Sequence, residues 1–193
     1  MNGKKNRYEQ HDHLLWKEIS RKKILSSNVF DVYSAERISR DGTKGEFVFL
    51  ESPDWVNVVP ITEDERGTDC FIMVRQYRQG SESITLEFPG GVLDEGELPE
   101  EGAKRELLEE TGYRPGKLIF AGKVSPNPAL MTNWSYTYIA EELERTHDQN
   151  LDALEFVDVE LVPITEVEDR MGEEPYINAV IMAALAWYHK LKQ

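Results

Sequence analysis

The stretch GVLDEGELPEEGAKRELLEETGY, residues 91–113, predicts a loop, a helix and a second loop. Pro99 suits the first position of a helix, where its missing N–H group is not needed, and Gly112 suits the position just after a helix ends. Gly91 and Gly96 give the first loop the backbone freedom of a tight turn. We therefore expect a helix that begins at Pro99 and ends before Gly112.

Three glutamates of the predicted helix share one face. Glu106 lies three residues before Glu109 and four before Glu110, and residues at these spacings are neighbours on a helix surface. Like charges so close together weaken a helix. A hard divalent cation such as Mg²⁺ binds carboxylate oxygens and would reverse that cost. Taken alone, the spacing leaves a solvated acidic face as the simpler interpretation, whereas the whole stretch favours a metal site.

The whole stretch resembles the Nudix box, the signature of the Nudix hydrolases. The box has a glycine, five residues, a glutamate, seven residues, then Arg-Glu-aliphatic-x-Glu-Glu-x-Gly and an apolar residue. The corresponding residues of this chain stand at those spacings: Gly91, Glu97, Arg105, Glu106, Leu107, Glu109, Glu110, Gly112 and Tyr113. Only Tyr113 departs from the pattern, because it is aromatic where an aliphatic residue is usual.

The resemblance implies an α/β fold, the Nudix α/β/α sandwich, in which a mixed sheet lies between helices. A small antiparallel N-terminal sheet would precede it, and residues 30–38 and 46–50 agree, since they read as strands around a turn at residues 40–42. We divide the chain into an N-terminal β-rich segment, residues 1–53, and a Nudix hydrolase domain, residues 54–193. The resemblance also implies a homodimer in which the first segment takes part.

The composition is that of a globular chain with an excess of acid. Among 193 residues, 36 Asp and Glu face 22 Lys and Arg, a net charge of −14, which argues against nucleic acid or an anionic membrane as partner. A single cysteine, Cys70, permits no internal disulfide and agrees with a reducing cytoplasm. No apolar run approaches the roughly 20 residues that span a bilayer, and no signal peptide is visible. We expect a cytoplasmic protein.

Basic residues before the box are candidates for binding substrate phosphates. Arg75 and Arg78 follow a predicted strand, and guanidinium groups bind phosphate bidentately, although an ordinary basic pair at a strand end is the simpler alternative. The segments RQYR, residues 75–78, and LEFPGG, residues 86–91, are similar to the ADP-ribose pyrophosphatase branch of the family. That similarity favours substrate binding by both arginines. We add Arg37, which matches a phosphate-contacting arginine of the branch, and Asn133, in the loop of residues 125–134.

Departures from that branch in the loop of residues 125–134 leave the substrate open. The branch usually has glycine where this chain has Ala129, and the loop is slightly longer, whereas Gly90 in place of the usual alanine is a conservative change. ADP-ribose, cleaved to AMP and ribose 5-phosphate, is the expected substrate, and other nucleoside diphosphate sugars such as GDP-mannose are the alternative. The alternative of another class is a module that senses a nucleotide sugar without cleaving it. The complete box favours an enzyme, since a sensor has no need of Arg105 together with its neighbouring glutamates.

The resemblance implies metal ligands among the residues of the box and beside it. Glu106 and Glu110, with Glu109 and the carbonyl group of Gly90, would bind Mg²⁺, for which Mn²⁺ is a substitute. Arg105 would orient these acids. The sequence leaves open how many ions bind and which phosphorus atom is attacked.

The general base is expected outside the box. Relatives in the branch carry a glutamate before a strand and it is thought to activate water; Glu155 matches that position, just before a strand pattern at residues 156–163. Glu155 ends an acidic stretch, residues 141–154, that we predict to be a surface loop. Glu141, Glu142 and Glu144 in this stretch are the alternative bases.

Overall fold

The structure is a computed structural model that describes residues 9–146, 148–151 and 153–192. The chain divides into two compact units. One contains the described residues up to Ser52 together with Asn127–Thr132, and the other contains Pro53–Pro126 and the described residues from Asn133 onward. The division into domains at residues 1–53 and 54–193 stays a prediction, and it did not anticipate that residues 127–132 join the first unit.

The first unit is a small antiparallel sheet in the order β1-β2-β3. A short 3₁₀ helix, Glu9–Leu14, precedes β1 (Trp16–Ser26), β2 (Asp31–Ser39) and β3 (Lys44–Glu51). Gly42, with φ 90°, lies in the β2–β3 turn, which confirms the predicted turn. Leu50 of β3 bonds to the returning segment on both sides, donating to the carbonyl of Leu130 at 2.7 Å and accepting from the N–H of Thr132 at 3.0 Å.

The second unit is built on a mixed sheet that has seven strands in the described part of the chain. These strands are β4 (Trp55–Glu63), β5 (Asp69–Arg78), β6 (Ser83–Glu87), β7 (Gly90–Val92), β8 (Tyr113–Val124), β9 (Ser135–Arg145) and β10 (Val157–Pro163). The central order is β10-β5-β4-β9-β8, with β6 paired to β5 and β7 paired to β4. β4 and β9 run parallel and the other paired strands run antiparallel.

Helices cover both faces of this sheet: α1 (Pro99–Thr111), α2 (Ile164–Arg170) and α3 (Ala179–Lys192). Successive side chains of a strand point to opposite faces. On β4, Val58 packs with Leu107 of α1, whereas Val59 packs with Val167 of α2 and Ile181 of α3. The sheet therefore lies between α1 on one face and α2 and α3 on the other, which confirms the predicted sandwich. No helix among the described residues is long and apolar enough to cross a membrane.

The helix of the box begins and ends where the sequence predicts. α1 begins at Pro99 and ends at Thr111. Gly112 follows with φ 76°, in the left-handed region that glycine favours, and its N–H donates to the carbonyl of Leu108 at 2.8 Å.

The prediction of a surface loop at residues 141–154 is wrong for the first five of these residues. β9 continues to Arg145, which pairs with Tyr113 of β8. The segment is rich in charged residues, so its sequence does not show the pattern of a strand. In the structure Leu143 packs against the buried cluster beneath α1, and Glu141 binds Lys117 of β8 at 2.7 Å. Pairing with β8 therefore determines that residues 141–145 form a strand, which their local composition does not indicate.

Candidate active site

Two glycines bring β7 against the carboxylates of α1. The N–H of Gly90 donates to Oε2 of Glu110 at 2.7 Å. A Cβ atom on Gly91 would lie 2.5 Å from Oε1 of Glu106, and one on Gly90 would lie 2.2 Å from the carbonyl oxygen of Val56. Any side chain at these two positions would therefore push β7 away from β4 or displace a carboxylate of α1.

The two carboxylates nearest β7 are buried and repel each other. Glu106 is 9% exposed and Glu110 is 5% exposed. Burial raises the pKa of Glu106, and Arg105 offsets only part of this effect. Burial also raises the pKa of Glu110 to about 8; the N–H of Gly90 opposes this rise, while the charges of Glu106 and Glu155 add to it. Buried like charges of this kind are costly unless a cation accompanies them.

Arg105 binds three acids of the box. Its Nε and Nη2 donate to Glu97 at 2.8 and 2.9 Å, and its Nη1 donates to Glu106 at 2.8 Å and to Glu109 at 3.1 Å. These contacts, with Glu97 first, raise the pKa of Arg105, so it stays charged. The geometry agrees with an orienting role for Arg105, which stays a prediction.

Glu155 lies close to the acids of α1. It stands two residues before β10 begins at Val157, and its charge raises the pKa values of both Glu106 and Glu110. The alternative bases Glu141, Glu142 and Glu144 all lie on β9. The structure therefore brings Glu155 together with the predicted metal ligands.

The two arginines of β5 have different neighbours. Arg78 forms a two-pronged ion pair with Glu87, at 2.9 Å from Nε and 2.7 Å from Nη2, and its charge acts on Glu110. Arg75 instead binds Glu160 of β10. Residues three apart on a strand point to opposite faces, so the structure brings Arg78 to the glutamates and does not bring Arg75 there.

Sequence reasoning missed Glu87, which holds Arg78. Glu87 is 3% exposed and also accepts hydrogen bonds from Thr85 Oγ1 and Asn178 Nδ2, each at 2.6 Å. Burial alone would raise the pKa of Glu87, but Arg78 and these donors outweigh it and hold the pKa below its usual value. The signal was present, because Glu87 is the one acid in the mostly apolar run of residues 84–88.

The remaining predicted substrate contacts are Arg37 and Asn133. Arg37 lies in the first unit, 5.5 Å from the centroid of the Phe49 ring. Asn133 precedes β9 and is 2% exposed, and neither polar atom of its amide is bonded to a described residue. Unpaired buried polar atoms cost roughly 1–3 kcal/mol each. Binding of substrate by Arg37 and Asn133 stays a prediction.

The donor set of the site fits a hard divalent cation. Glu106, Glu109 and Glu110 supply three carboxylates, and ions such as Mg²⁺ prefer carboxylate and carbonyl oxygens. Among the described residues, no three acidic, histidine or cysteine side chains stand in position to bind an ion by themselves. A bound ion would therefore complete its ligands with the carbonyl of Gly90, water or substrate oxygens.

Comparison with known proteins agrees with this site. The profile of the NUDIX domain matches residues 52–182. The chain belongs to the Nudix family. It is accordingly an enzyme, a Nudix pyrophosphatase, and Nudix hydrolases generally use divalent metal ions.

Named relatives act on ADP compounds. The chain is 33% identical over 144 residues to the ADP-ribose pyrophosphatase of Bacillus subtilis (strain 168), and the aligned region covers 74% of this chain and 76% of that protein. It is 45% identical over 80 residues to the ADP-sugar pyrophosphatase of Mus musculus, and that aligned region covers 42% of this chain and 37% of that protein. A crystal structure of an ADP compounds hydrolase superposes with a TM-score of 0.79 at 25% identity, covering 91% of this chain and 93% of that one.

The contact between Gly91 and Glu106 predicts a site-specific effect of a single methyl group. In Gly91→Ala the new Cβ would overlap the end of the Glu106 side chain, which can rotate away without disturbing the backbone. We expect divalent-cation affinity to fall by about 10–100-fold and the unfolding temperature to stay near that of the parent, as measured by titration calorimetry and thermal unfolding. The control is Gly80→Ala, where an added Cβ meets nothing within 4 Å. Unchanged affinity in Gly91→Ala would contradict the placement of Glu106.

The raised pKa of Glu110 predicts an unusual pH dependence of stability in the metal-free protein. Because the folded state keeps the Glu110 proton up to about pH 8 while the unfolded state loses it near the ordinary value of 4.5, the free energy of unfolding should fall as pH rises through this window. The slope should reach about 1.4 kcal/mol per pH unit, measured by urea unfolding with a chelator present. Glu110→Gln cannot titrate and should have a much flatter profile; equal slopes in both proteins would contradict the assignment.

Proposed function

We propose that this Nudix pyrophosphatase hydrolyses the diphosphate bond of a nucleoside diphosphate sugar, with ADP-ribose as substrate and AMP and ribose 5-phosphate as products. The observation that carries the proposal is the position of Arg78, which Glu87 holds beside the carboxylates of α1. A phosphate bound by Arg78 would lie next to the metal ligands. The names of the relatives, an ADP-ribose pyrophosphatase and an ADP-sugar pyrophosphatase, support this substrate class.

The proposed cofactor is Mg²⁺, with Mn²⁺ as a substitute. Glu106 and Glu110, with Glu109 and the carbonyl of Gly90, are the proposed ligands. A bound ion supplies positive charge that offsets the negative charge developing on the phosphate oxygens. Arg105 maintains the arrangement of the acids through its bonds to Glu106 and Glu109, and it does so before substrate arrives.

The proposed general base is Glu155. A base must reach the attacking water and must not be occupied by metal, and Glu155 stands near the helix acids without belonging to α1. Glu155 takes a proton from water as the water oxygen forms a bond to phosphorus and the bond to the bridging oxygen breaks. Arg78 binds the phosphate through N–H groups that Glu87 does not use.

Other substrate contacts and the assembly remain parts of the proposal. Arg37 and Asn133 are candidate contacts, and Arg75 would have to leave Glu160 to become one. We further propose a cytoplasmic homodimer in which residues 1–53 take part. The molecule that the protein binds is a small nucleotide sugar rather than nucleic acid or a membrane, since the net charge of −14 repels polyanions.

A substrate panel tests the proposed substrate class. Hydrolysis of ADP-ribose, GDP-mannose, UDP-glucose, NADH, diadenosine polyphosphates and dGTP would be measured with Mg²⁺ by product chromatography. We expect the highest kcat/KM for ADP-ribose. A preference for GDP-mannose would move the assignment to the other nucleoside diphosphate sugars, and a preference for dGTP over every sugar nucleotide would overturn the substrate class. Binding of ADP-ribose without any product would support a sensing module instead.

Replacement of Glu155 tests the proposed base. In Glu155→Gln the amide can still bond to water but cannot take its proton, so kcat should fall by about two to four orders of magnitude, while KM changes little. The matched control is Glu144→Gln, which removes an exposed carboxylate of β9 and should leave kcat unchanged. An active Glu155→Gln beside an inactive Glu144→Gln would assign the base to β9.

A further inference from the structure

The segment after β9 caps the C-terminal end of α1. The last carbonyl groups of a helix have no partner inside the helix. Here the N–H of Asn150 donates to the carbonyl of Glu109 at 2.9 Å, and the N–H of Thr146 donates to that of Gly112 at 3.0 Å. The carbonyl of Glu110 accepts from a side chain instead, Nε2 of Gln149 at 2.6 Å.

Gln149 also bonds to the segment that carries Glu155. Its Nε2 donates a second hydrogen bond to the carbonyl of Val157 at 3.0 Å. A primary amide nitrogen carries two N–H groups, and two acceptors are bound here. One side chain therefore joins the last turn of α1 to the first residue of β10, and Glu155 lies two residues before that junction.

The two hydrogen bonds of Gln149 act where electrostatic repulsion is present. The charge of Glu155 raises the pKa values of Glu106 and Glu110, so the three carboxylates repel one another when they are ionised. Repulsion between charges at short range is stronger in a partly buried site than in water. The bonds from Gln149 to two backbone carbonyls resist displacement of the segment without neutralising any of the charges.

We propose that Gln149 is a positioning residue for the hydrolysis. It fixes the segment of Glu155 against the last turn of α1 and so sets the position from which the Glu155 carboxylate takes a proton. This inference rests on the proposed role of Glu155 as general base. The amide of Gln149 acts through the backbone at Glu110 and Val157, not through contact with the reacting atoms.

Gln149→Met tests this role, because methionine has a similar length and no N–H donor. We expect kcat to fall by about 10–100-fold, the effect of a misplaced catalytic group, with KM within about 2-fold of the parent. Amide hydrogen exchange in residues 148–158 should become faster. The matched control is Asn150→Ala, since Asn150 makes its bond to α1 with its backbone N–H; kcat, KM and exchange should all stay at parental values.

A double variant separates this inference from the proposed base. Gln149→Met combined with Glu155→Gln should be no slower than Glu155→Gln alone, because both changes act on the same step. Full activity of Glu155→Gln would overturn the proposed base. Parental kcat in Gln149→Met beside an impaired Glu155→Gln would overturn the positioning role alone, as would losses that multiply in the double variant. If Gln149→Met does not fold, Gln149→Asn, whose shorter amide cannot span both carbonyls, carries the same expectations.

Discussion

Burial of two α1 carboxylates against the backbone of β7 is the constraint on which the site depends. Glu110 accepts the N–H of Gly90, and the carboxylate of Glu106 occupies the space that a side chain at residue 91 would fill. These contacts remove both acids from water while leaving their charges only partly compensated. The fold tolerates this repulsion, and a bound cation would offset it because the cation attracts each carboxylate.

The last turn of α1 is unfavourable on its own, and the rest of the unit supports it. Glu109, and Glu110 when it is ionised, place negative charge at the helix end where the macrodipole is also negative, and no basic residue lies in that turn. Arg105, one turn earlier, supplies the nearest compensation through its bond to Glu109. The carbonyl groups of the turn are bonded by the segment that follows β9. Acids therefore stand where helix stability alone would not place them, and tertiary contacts offset the cost.

The parts of the structure that local signals specify could be predicted from the sequence. Pro99 and Gly112 fix the ends of α1 because each acts on its own backbone position, and the spacing of Glu106 and Glu110 places them on one face. The outcome was different where distant pairing decides: β5 extends through Arg78, so Arg75 and Arg78 point to opposite faces although they look like one clamp in the sequence. The bonds of Gln149 to Glu110 and Val157 join residues that no local pattern relates.

The return of residues 127–132 to the first unit changes the order in which that unit can be completed. Its three strands lie within the first 51 residues, yet Leu50 at its edge finds its backbone partners at Leu130 and Thr132. During synthesis, when domains generally fold from the N-terminus onward, the edge of β3 must wait, unpaired by this segment, until residue 132 has left the ribosome. The N-terminal sheet therefore gains the last of its backbone partners only after a distant part of the chain has been made, so a copy of residues 9–52 alone would lack the bonds that Leu50 makes here.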